Sequence, residues 1–372
     1  MPFADQLISR ATAEDLTRAI RTAAPGNPLP ILGTAAARLG DLSLRERADL
    51  LRDALLADVP GSYADLARVV RSARTGSAGF GGWMIWPVTA AVAAKAVDDG
   101  GVAAFDDAMA MMAELTGLLT AEFAIRTLLR HDLDRALATV LDWTGSGDAD
   151  VRRLASEGTR PYLPWSVRVP EIIARPGVTV PVLDALYRDP SEYVRRSVAN
   201  HLNDLSRDHA ALVVRTAGRW SAAPDAATAR VVRHGLRTLV KRGDPGALAL
   251  LGFSAAPATL LVDGPVVDRA TVAVGEAIGF RATVRNTGDA PARLAIDYVV
   301  HHHKANGART AKTFKLTTAT LRPGETLEVR REHSFRVIST RRYHPGPHAI
   351  ALQVNGTATE PVGFELVSAP PA

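Results

Sequence analysis

Three segments of the chain repeat one pattern, and this repeat constrains the possible folds more than any other feature of the sequence. The segments are "DADVRRLASEG" from residue 148, "SEYVRRSVANHL" from residue 191 and "TARVVRHGLRTL" from residue 228. Their Val-Arg arginines, at positions 152, 195 and 233, stand 43 and 38 residues apart. Helix pairs of the HEAT type repeat at about 40 to 47 residues and stack into a superhelix. The spacing favours a HEAT-like solenoid, and chance similarity among Ala- and Arg-rich helices is the alternative.

Helical patterning extends over most of the first 252 residues. Apolar residues recur there at spacings of three and four, Asp, Gly or Pro separate the segments, and strand signals are absent. The predicted helices include 102–116, 119–130, 133–143, 148–158, 178–188, 191–205, 208–220, 225–241 and 244–251.

The pattern changes after "LGFSAAPATL" to alternating β-branched and polar residues with frequent Gly, Pro and Asn, which predicts an antiparallel β-sandwich. Within it, Asn306-Gly307 indicates a hairpin with a type I′ turn, which needs positive φ at both positions. We therefore predict a mainly α protein with a helical repeat domain over residues 1–252 and a sandwich over 258–372. The boundary is expected between residues 253 and 258.

The composition excludes several classes of site. The 372-residue chain has no cysteine, which excludes disulfides, thiolate nucleophiles and cysteine zinc sites and fits a reducing cytoplasm. The start, "MPFADQLISR", lacks the pattern of an export signal. The uncharged run 75–94 is interrupted by glycines and Pro87, so we expect a buried loop and helix start there and no membrane partner. The net charge of +5 mildly favours binding to a polyanion.

Three of the predicted helices carry a polar stripe that contains both signs of charge, because residues four apart share one helix face. The stripes are Arg196, Asn200 and Asp204 on one helix, Arg153 and Glu157 on a second, and Glu122, Arg126 and Arg130 on a third. Equivalent helix faces of a solenoid line up on one wall, so the three stripes would lie side by side. Weak surface salt bridging is the alternative for each pair.

Arginines on such a wall suit a phosphate backbone, whereas carboxylates repel it. A positively charged substrate centre would compensate for the carboxylates. The segment "GTRPYLPWSVR", residues 158–168, places two aromatics close to Glu157 in sequence. Trp165 and Tyr162 fit equally well as core residues or as aromatics that meet a cationic base or sugar.

Two other motifs do not predict the sites that they first suggest. "GSAGFGGW" has no following Lys-Ser/Thr, so it is not a phosphate-binding P-loop. His301, His302 and His303 point alternately to opposite faces of a strand, which is poor metal-ligand geometry. Together with Lys304 and Arg309 they form a basic hairpin that suits an anion. We expect neither a metal nor a cofactor.

Four phrases resemble a known family: "ELTGLLTAEFAIR", "VRRLASEGTRPYLPW", "DPSEYVRRSVANHLNDLSRDH" and "RTLVKRGDPGALALLGF". They are similar to the DNA alkylation-repair glycosylases of the HEAT-like repeat superfamily, in the AlkC branch. The likeness is specific from about residue 100 to 252 and looser before it. The C-terminal sandwich is similar to the immunoglobulin-like domain of that branch.

The resemblance implies a monofunctional glycosylase that removes positively charged N-alkylated bases, such as 3-methyladenine and 3-methylcytosine or 1-methyladenine, from double-stranded DNA. By motif position, its site residues are Glu122 of "TAEFAIR", Glu157 of "ASEG", Asp204 of "NHLND" and Trp165 of "LPW". Glu157 is the first candidate for stabilising an oxocarbenium-like sugar and positioning water. The motifs contain no lysine, which argues against a Schiff-base lyase step.

The resemblance also implies residues that hold DNA. They are Arg152, Arg153, Arg195, Arg196 and Asn200 in the helices and His301, His302, His303 and Lys304 in the hairpin. One arginine of each Val-Arg-Arg pair is expected to face DNA, and the other to brace neighbouring helices. "RTLLRHD" lacks the proline expected in the Glu122 motif. A catalytically silent DNA-binding repeat protein and a protein-interaction scaffold stay open, and no obligate protein partner is evident.

Overall fold

The computed structural model describes residues 4–253, 259–338 and 342–368. They form two compact units. The first runs to Leu212 and includes Ala222–Gly235, and the second comprises Val213–Ser221 and the chain from Leu236 onward. Residues 254–258 of the expected boundary lie outside the described residues, so the limits 1–252 and 258–372 stay a prediction.

Residues 4–253 are helical and contain no strand. None of the helices that the structure describes is long and apolar enough to cross a bilayer. The helices are α1 (Ala4–Leu7), α2 (Arg10–Ala23), α3 (Pro30–Ala35), α4 (Leu44–Asp58), α5 (Tyr63–Gly76), α6 (Ile85–Asp99), α7 (Val102–Leu115), α8 (Ile125–His131), α9 (Leu133–Trp143), α10 (Ala149–Gly158), α11 (Pro170–Ala174), α12 (Val180–Leu186), α13 (Glu192–Leu205), α14 (Ala210–Ala222), α15 (Thr228–Gly235), α16 (Arg237–Lys241) and α17 (Pro245–Leu250). Short 3-10 helices cover Ala36–Arg38, Gly82–Met84 and Pro176–Thr179.

The three repeated segments form α10, α13 and α15, and α13 packs against both of the others. Val194, Val198 and Leu202 form the buried side of α13, as their spacing predicts. A Cβ added to Gly235 of α15 would lie 2.8 Å from Cδ2 of Leu202, so this close helix packing depends on glycine. The repeat in the sequence therefore corresponds to neighbouring helices.

Two predicted helices differ from the structure. The helix expected over 119–130 begins at Ile125, because hydroxyl groups bind the backbone before it: Thr116 Oγ1 accepts from Ala121 N at 3.3 Å and Thr120 Oγ1 accepts from Glu122 N at 3.3 Å. Such side-chain bonds compete with helix formation. The helix expected over 225–241 is divided into α15 and α16, with the poor helix former Gly235 at the division.

The second unit contains two sheets. Its strands are β1 (Leu260–Val267), β2 (Thr271–Ala273), β3 (Ala277–Asn286), β4 (Ala292–His303), β5 (Arg309–Leu321), β6 (Thr326–Ser334), β7 (Gly346–Val354), β8 (Thr357–Ala358) and β9 (Val362–Val367). One sheet has the order β1-β3-β6 and the other β2-β9-β7-β4-β5, with β8 on β7. The pairs are antiparallel except β2 with β9. A core that includes Phe280 of β3 and Ile296 of β4 lies between the sheets.

The predicted hairpin joins β4 to β5, but its turn is not of type I′. His303 pairs with Arg309, and Lys304 N donates to the Ala308 carbonyl at 2.9 Å. Of the two turn residues, Gly307 has positive φ, at 77°, and Asn306 does not. A three-residue loop that ends in a left-handed glycine matches this pattern and needs only one positive φ.

Asp297 of β4 is an unusual group in the second unit, because it is 5% exposed. Burial raises its pKa to about 6, and Lys241 and Lys315 oppose this shift. The folded state therefore binds the proton more tightly than the unfolded chain does. Stability falls as the pH rises from the ordinary carboxyl pKa to about 6 and stays lower above it.

We predict that Asp297→Asn raises the free energy of unfolding by about 2 kcal/mol near neutral pH, because it removes the cost of a buried charge. The gain should disappear below about pH 4, where the carboxyl is protonated in both states. Urea unfolding at both pH values measures the effect. Asp263→Asn, at an exposed carboxylate of β1, is the control. A gain that is the same at both pH values would contradict the assignment.

Candidate active site

Three acidic residues from separate parts of the first unit converge on two arginines. Arg153 Nη1 lies 2.6 Å from Glu122 Oε2, and Arg153 Nη2 lies 3.6 Å from Glu157 Oε1. Arg160 Nη1 lies 2.5 Å from Glu157 Oε1, and its Nε lies 2.9 Å from Asp204 Oδ2. These five residues form one alternating series of charges, the ion-pair chain. The sequence-predicted carboxylates therefore lie together.

Each carboxylate of the ion-pair chain is held by its local structure. Glu122 precedes α8, and Thr120 Oγ1 donates to its Oε2 at 2.9 Å. Glu157 lies in the last turn of α10, and Ser197 Oγ of α13 donates to its Oε2 at 2.6 Å. Asp204 lies in the last turn of α13. Both oxygens of Glu157 thus accept hydrogen bonds, which fixes the orientation of its carboxylate.

Close packing brings the acidic segments together. A Cβ added to Gly158, the residue after Glu157, would lie 2.8 Å from Cγ2 of Ile125. Glycine therefore lets the end of α10 approach the start of α8, where the Glu122 turn lies. A larger residue at this position would require the Ile125 side chain to shift.

Burial sets the electrostatics of the ion-pair chain. Glu122, Glu157 and Asp204 are 8%, 6% and 5% exposed, and buried charges are costly unless they are paired. Burial raises the pKa of Asp204, against the effect of the hydrogen bond from Arg160. Burial alone would lower the pKa of Arg153 and of Arg160, but the carboxylates raise both above the ordinary value. The ion-pair chain holds three carboxylates and two guanidinium groups. Arg126 and Arg207 act on its carboxylates from outside the series.

Arg126 links the two ends of the loop that follows α10 by hydrogen bonds. It is 0% exposed, and its guanidinium donates to the carbonyls of Gly158 at 2.9 Å, Arg160 at 2.8 Å and Val167 at 2.5 Å. These carbonyls stand near both ends of residues 158–168, which we call the Trp165 loop. Burial lowers the pKa of Arg126 to about 10. The predicted stripe of Glu122, Arg126 and Arg130 is wrong, because Glu122 precedes the helix and Arg126 points inward.

Trp165 is 53% exposed and has a φ of 60°, which is rare for a residue with a side chain. Arg45 donates to its carbonyl, and the Arg45 guanidinium lies 5.9 Å from the centre of the Trp86 ring. The alternative that Trp165 is a core residue is therefore wrong. Its indole ring is available to a ligand.

Of the four arginines in the two Val-Arg-Arg pairs, two brace neighbouring structure, one joins the ion-pair chain and one is exposed. Arg152 binds both carboxylate oxygens of Asp189, at 2.6 and 3.2 Å, and Arg195 donates to the Asp189 carbonyl at 2.5 Å. Arg153 joins the ion-pair chain and lies over the ring of Tyr193, at 5.0 Å. The exposed guanidinium belongs to Arg196, which has no ion pair or hydrogen bond to the described residues.

The DNA-binding roles of these residues stay predictions. Arg152 and Arg195 are occupied within the protein as braces, as expected for one arginine of each pair. Asn200 is half-buried and accepts from His234 Nε2 at 2.9 Å. In the second unit, His301, His302 and His303 form the end of β4, and Lys304 is exposed in the turn.

Known proteins share this architecture. The protein named "Uncharacterized protein YhaZ" from Bacillus subtilis (strain 168) is 32% identical over 326 residues, which cover 88% of both chains. A solved structure of Pseudomonas fluorescens alkylpurine DNA glycosylase AlkC, bound to DNA containing an abasic site analog, is 35% identical with a TM-score of 0.86. That match covers 98% of this chain and 100% of the other. The chain belongs to the AlkC family.

The family membership confirms the predicted fold class of a mainly α, HEAT-like repeat protein with an immunoglobulin-like sandwich. A family model described as "Uncharacterised protein YhaZ, C-terminal Ig-like domain" matches residues 261–368. The sandwich described above occupies the same part of the chain.

Three residues with contacts in or near the site are absent from the predicted set. Arg160, Ser197 and Arg45 were not predicted. Arg160 follows Glu157 by three residues, a spacing at which helical side chains meet, so this signal was present in the sequence. Ser197 and Arg45 meet their partners across 40 and 120 residues, and no local pattern indicates such contacts.

We predict that Arg126→Gln lowers the free energy of unfolding by about 3 kcal/mol, because buried carbonyls of the Trp165 loop lose their donors. Arg130→Gln, on the exposed side of the same helix, should change it by less than about 0.5 kcal/mol. Urea unfolding measures both variants. Equal stability of the two would show that Arg126 does not hold the loop.

Proposed function

We propose that this protein is a monofunctional DNA glycosylase that removes positively charged, N-alkylated bases from double-stranded DNA. The observation that carries the proposal is the buried ion-pair chain, in which Glu122, Glu157 and Asp204 converge. The likeness to AlkC over nearly the whole chain supports it. The expected substrates are 3-methyladenine and the 3-methylcytosine or 1-methyladenine class.

The chemistry of such bases matches the ion-pair chain. An alkylated base with a positive charge is already a good leaving group, so the enzyme has little need of a general acid. The deoxyribose gains positive charge as the glycosidic bond breaks, and fixed negative charges stabilise that transition state. The ion-pair chain offers an excess of carboxylates, and its buried setting strengthens their field.

Glu157 is the proposed catalytic carboxylate. Its two oxygens are oriented by Arg160 at 2.5 Å and Ser197 at 2.6 Å, so little reorganisation is needed when the sugar becomes charged. We assign it the roles of sugar stabilisation and of positioning the attacking water. Glu122 and Asp204 flank it in the ion-pair chain and extend the negative field. Trp165 supplies an exposed aromatic surface for the damaged nucleotide.

DNA binding is proposed for one exposed arginine of the first unit and for one hairpin of the second unit. In the first unit the exposed arginine of the repeat pairs is Arg196. In the second unit, His301 to Lys304 form the basic hairpin, which suits the negative potential of a minor groove. The carboxylates of the site disfavour phosphate, so backbone contacts have to come from such groups.

We predict that the protein releases free base from duplex DNA that carries 3-methyladenine, 3-methylcytosine or 1-methyladenine and leaves abasic sites without cutting the strand. Chromatography of released bases and alkaline cleavage of the abasic sites measure this. A neutral lesion such as hypoxanthine should not be released. Tight binding of methylated DNA with no base release would instead show the catalytically silent DNA-binding protein.

We also predict that Glu157→Gln lowers single-turnover base release at least about tenfold, because an oriented charge is lost while the amide oxygen can still accept from Ser197. DNA affinity should hold or increase, because a carboxylate near phosphate is removed. Glu192→Gln is the control, since Glu192 lies on the exposed side of α13 and pairs with Arg230 at 2.7 Å. Unchanged release by Glu157→Gln would exclude Glu157 from the site.

A further inference from the structure

The immunoglobulin-like domain has a cavity of about 560 Å³ at the end of its β4–β5 hairpin. The cavity lies between the end of β4, the start of β5 and the segment before β7. Its ionisable lining includes Lys304, Lys312, Arg342, His302, His303 and His348, and none of the lining residues that the structure describes is Asp or Glu. We call it the histidine cavity. Three fixed positive charges with no carboxylate favour an anion and disfavour a metal ion.

Two histidine nitrogens in this cavity are buried without a hydrogen-bond partner among the described residues. His348 is 1% exposed, and its Nδ1 donates to the Gly346 carbonyl at 2.9 Å. Because Nδ1 carries the hydrogen, Nε2 of the neutral ring is a bare acceptor, and it is buried and unpaired. His303 Nδ1 is likewise buried and unpaired. Buried unpaired nitrogens are costly, so a ligand that pairs with them gains free energy.

We propose that the histidine cavity binds a phosphate group, which His303 and His348 contact through their unpaired ring nitrogens and which Lys304, Lys312 and Arg342 neutralise. The His303 and His348 rings are neighbours, with 6.4 Å between their centroids, and both line the cavity. In the described part of the chain, no group of three His, Asp or Glu side chains is arranged to hold a metal ion. The cavity shares His303 and Lys304 with the hairpin proposed above to bind DNA, so the inference rests on that part of the proposed function, but it does not depend on base excision.

Phosphate binding at this site takes up protons. Burial lowers the pKa of His348. His303 and Arg309 also lower it, whereas the Gly346 carbonyl and Glu365 raise it. His348 is therefore neutral at neutral pH in the free protein. An anion beside Nε2 favours its protonation, so affinity rises as the pH falls. The His302 ring of β4 lies 5.8 Å from the His348 ring. The other ionisable groups that line the cavity with His348 are Lys304 in the turn, Lys312 of β5, and Arg342, Tyr343 and His344 before β7.

The test is titration of the full-length protein with inorganic phosphate and with sulfate, followed by the histidine ring signals in NMR spectra. Sulfate does not titrate between about pH 5.5 and pH 7.5, so its pH dependence reports on the protein alone. We expect saturable shifts of His303 and His348 at or below about 10 mM anion. The sulfate affinity should be at least about fivefold higher at pH 5.5 than at pH 7.5.

Substitutions at lining residues test which side chains bind the anion. His348→Gln should reduce the pH dependence, because the proton taken up by His348 is lost. The double variant Lys304→Gln with Lys312→Gln, at exposed lining residues, should weaken binding at least about tenfold without unfolding the domain. Lys315→Gln, on the same strand outside the cavity, should leave binding unchanged. Absence of saturable binding at the lower pH, or equal binding by the double variant and the parent, would overturn the proposal.

A further arm identifies the source of the phosphate. Addition of an undamaged DNA duplex should displace sulfate from the cavity if the ligand is a phosphodiester of the DNA backbone. If the duplex binds elsewhere and sulfate stays, the ligand is a free phosphate or a phosphomonoester. Both results support a phosphate site, and neither requires base excision.

Discussion

The structure of the first unit depends on one interaction, the buried pairing of three carboxylates with two guanidinium groups. None of the three acids could be buried alone, because an unpaired charge in the interior costs several kcal/mol (about 3 to 5 when one partner is removed). Arg153 and Arg160 offset that cost. The repeat helices supply both signs: α10 carries Arg153 and Glu157, and α13 carries Asp204. The pairing that stabilises the fold is thus the same pairing that prepares the site.

Arginines support this arrangement by braces of a different kind. Arg126 donates to three carbonyls of the Trp165 loop, and Arg152 binds the carboxylate of Asp189. A guanidinium suits both tasks because it presents several donors in one plane. The two ends of the Trp165 loop are therefore fixed by hydrogen bonds, whereas the Trp165 indole is exposed. Rigid support of an exposed aromatic is what a site needs in order to hold a nucleotide without reorganisation.

Much of this could be predicted from sequence, and the failures have physical causes. The convergence of Glu157 and Asp204 follows from helical spacing within a repeat, which the sequence displays. The position of Glu122 was less predictable, because backbone hydrogen bonds to the hydroxyls of Thr116 and Thr120 delay the start of α8 until after Glu122. Whether an arginine braces or faces outward depends on a partner such as Asp189, 37 residues from Arg152. The hairpin turn was predicted in position but not in type, since one left-handed glycine is sufficient there.

The central claim is that buried carboxylates meet a sugar that becomes positively charged. The most direct measurement compares the affinity of the protein for duplex DNA with a cationic pyrrolidine abasic analogue and with a neutral tetrahydrofuran analogue of the same shape. Binding of the cationic analogue should be at least about tenfold tighter, or about 1.4 kcal/mol, and this preference should disappear when Glu157 is replaced by Gln. Equal affinity for the two analogues would contradict the account.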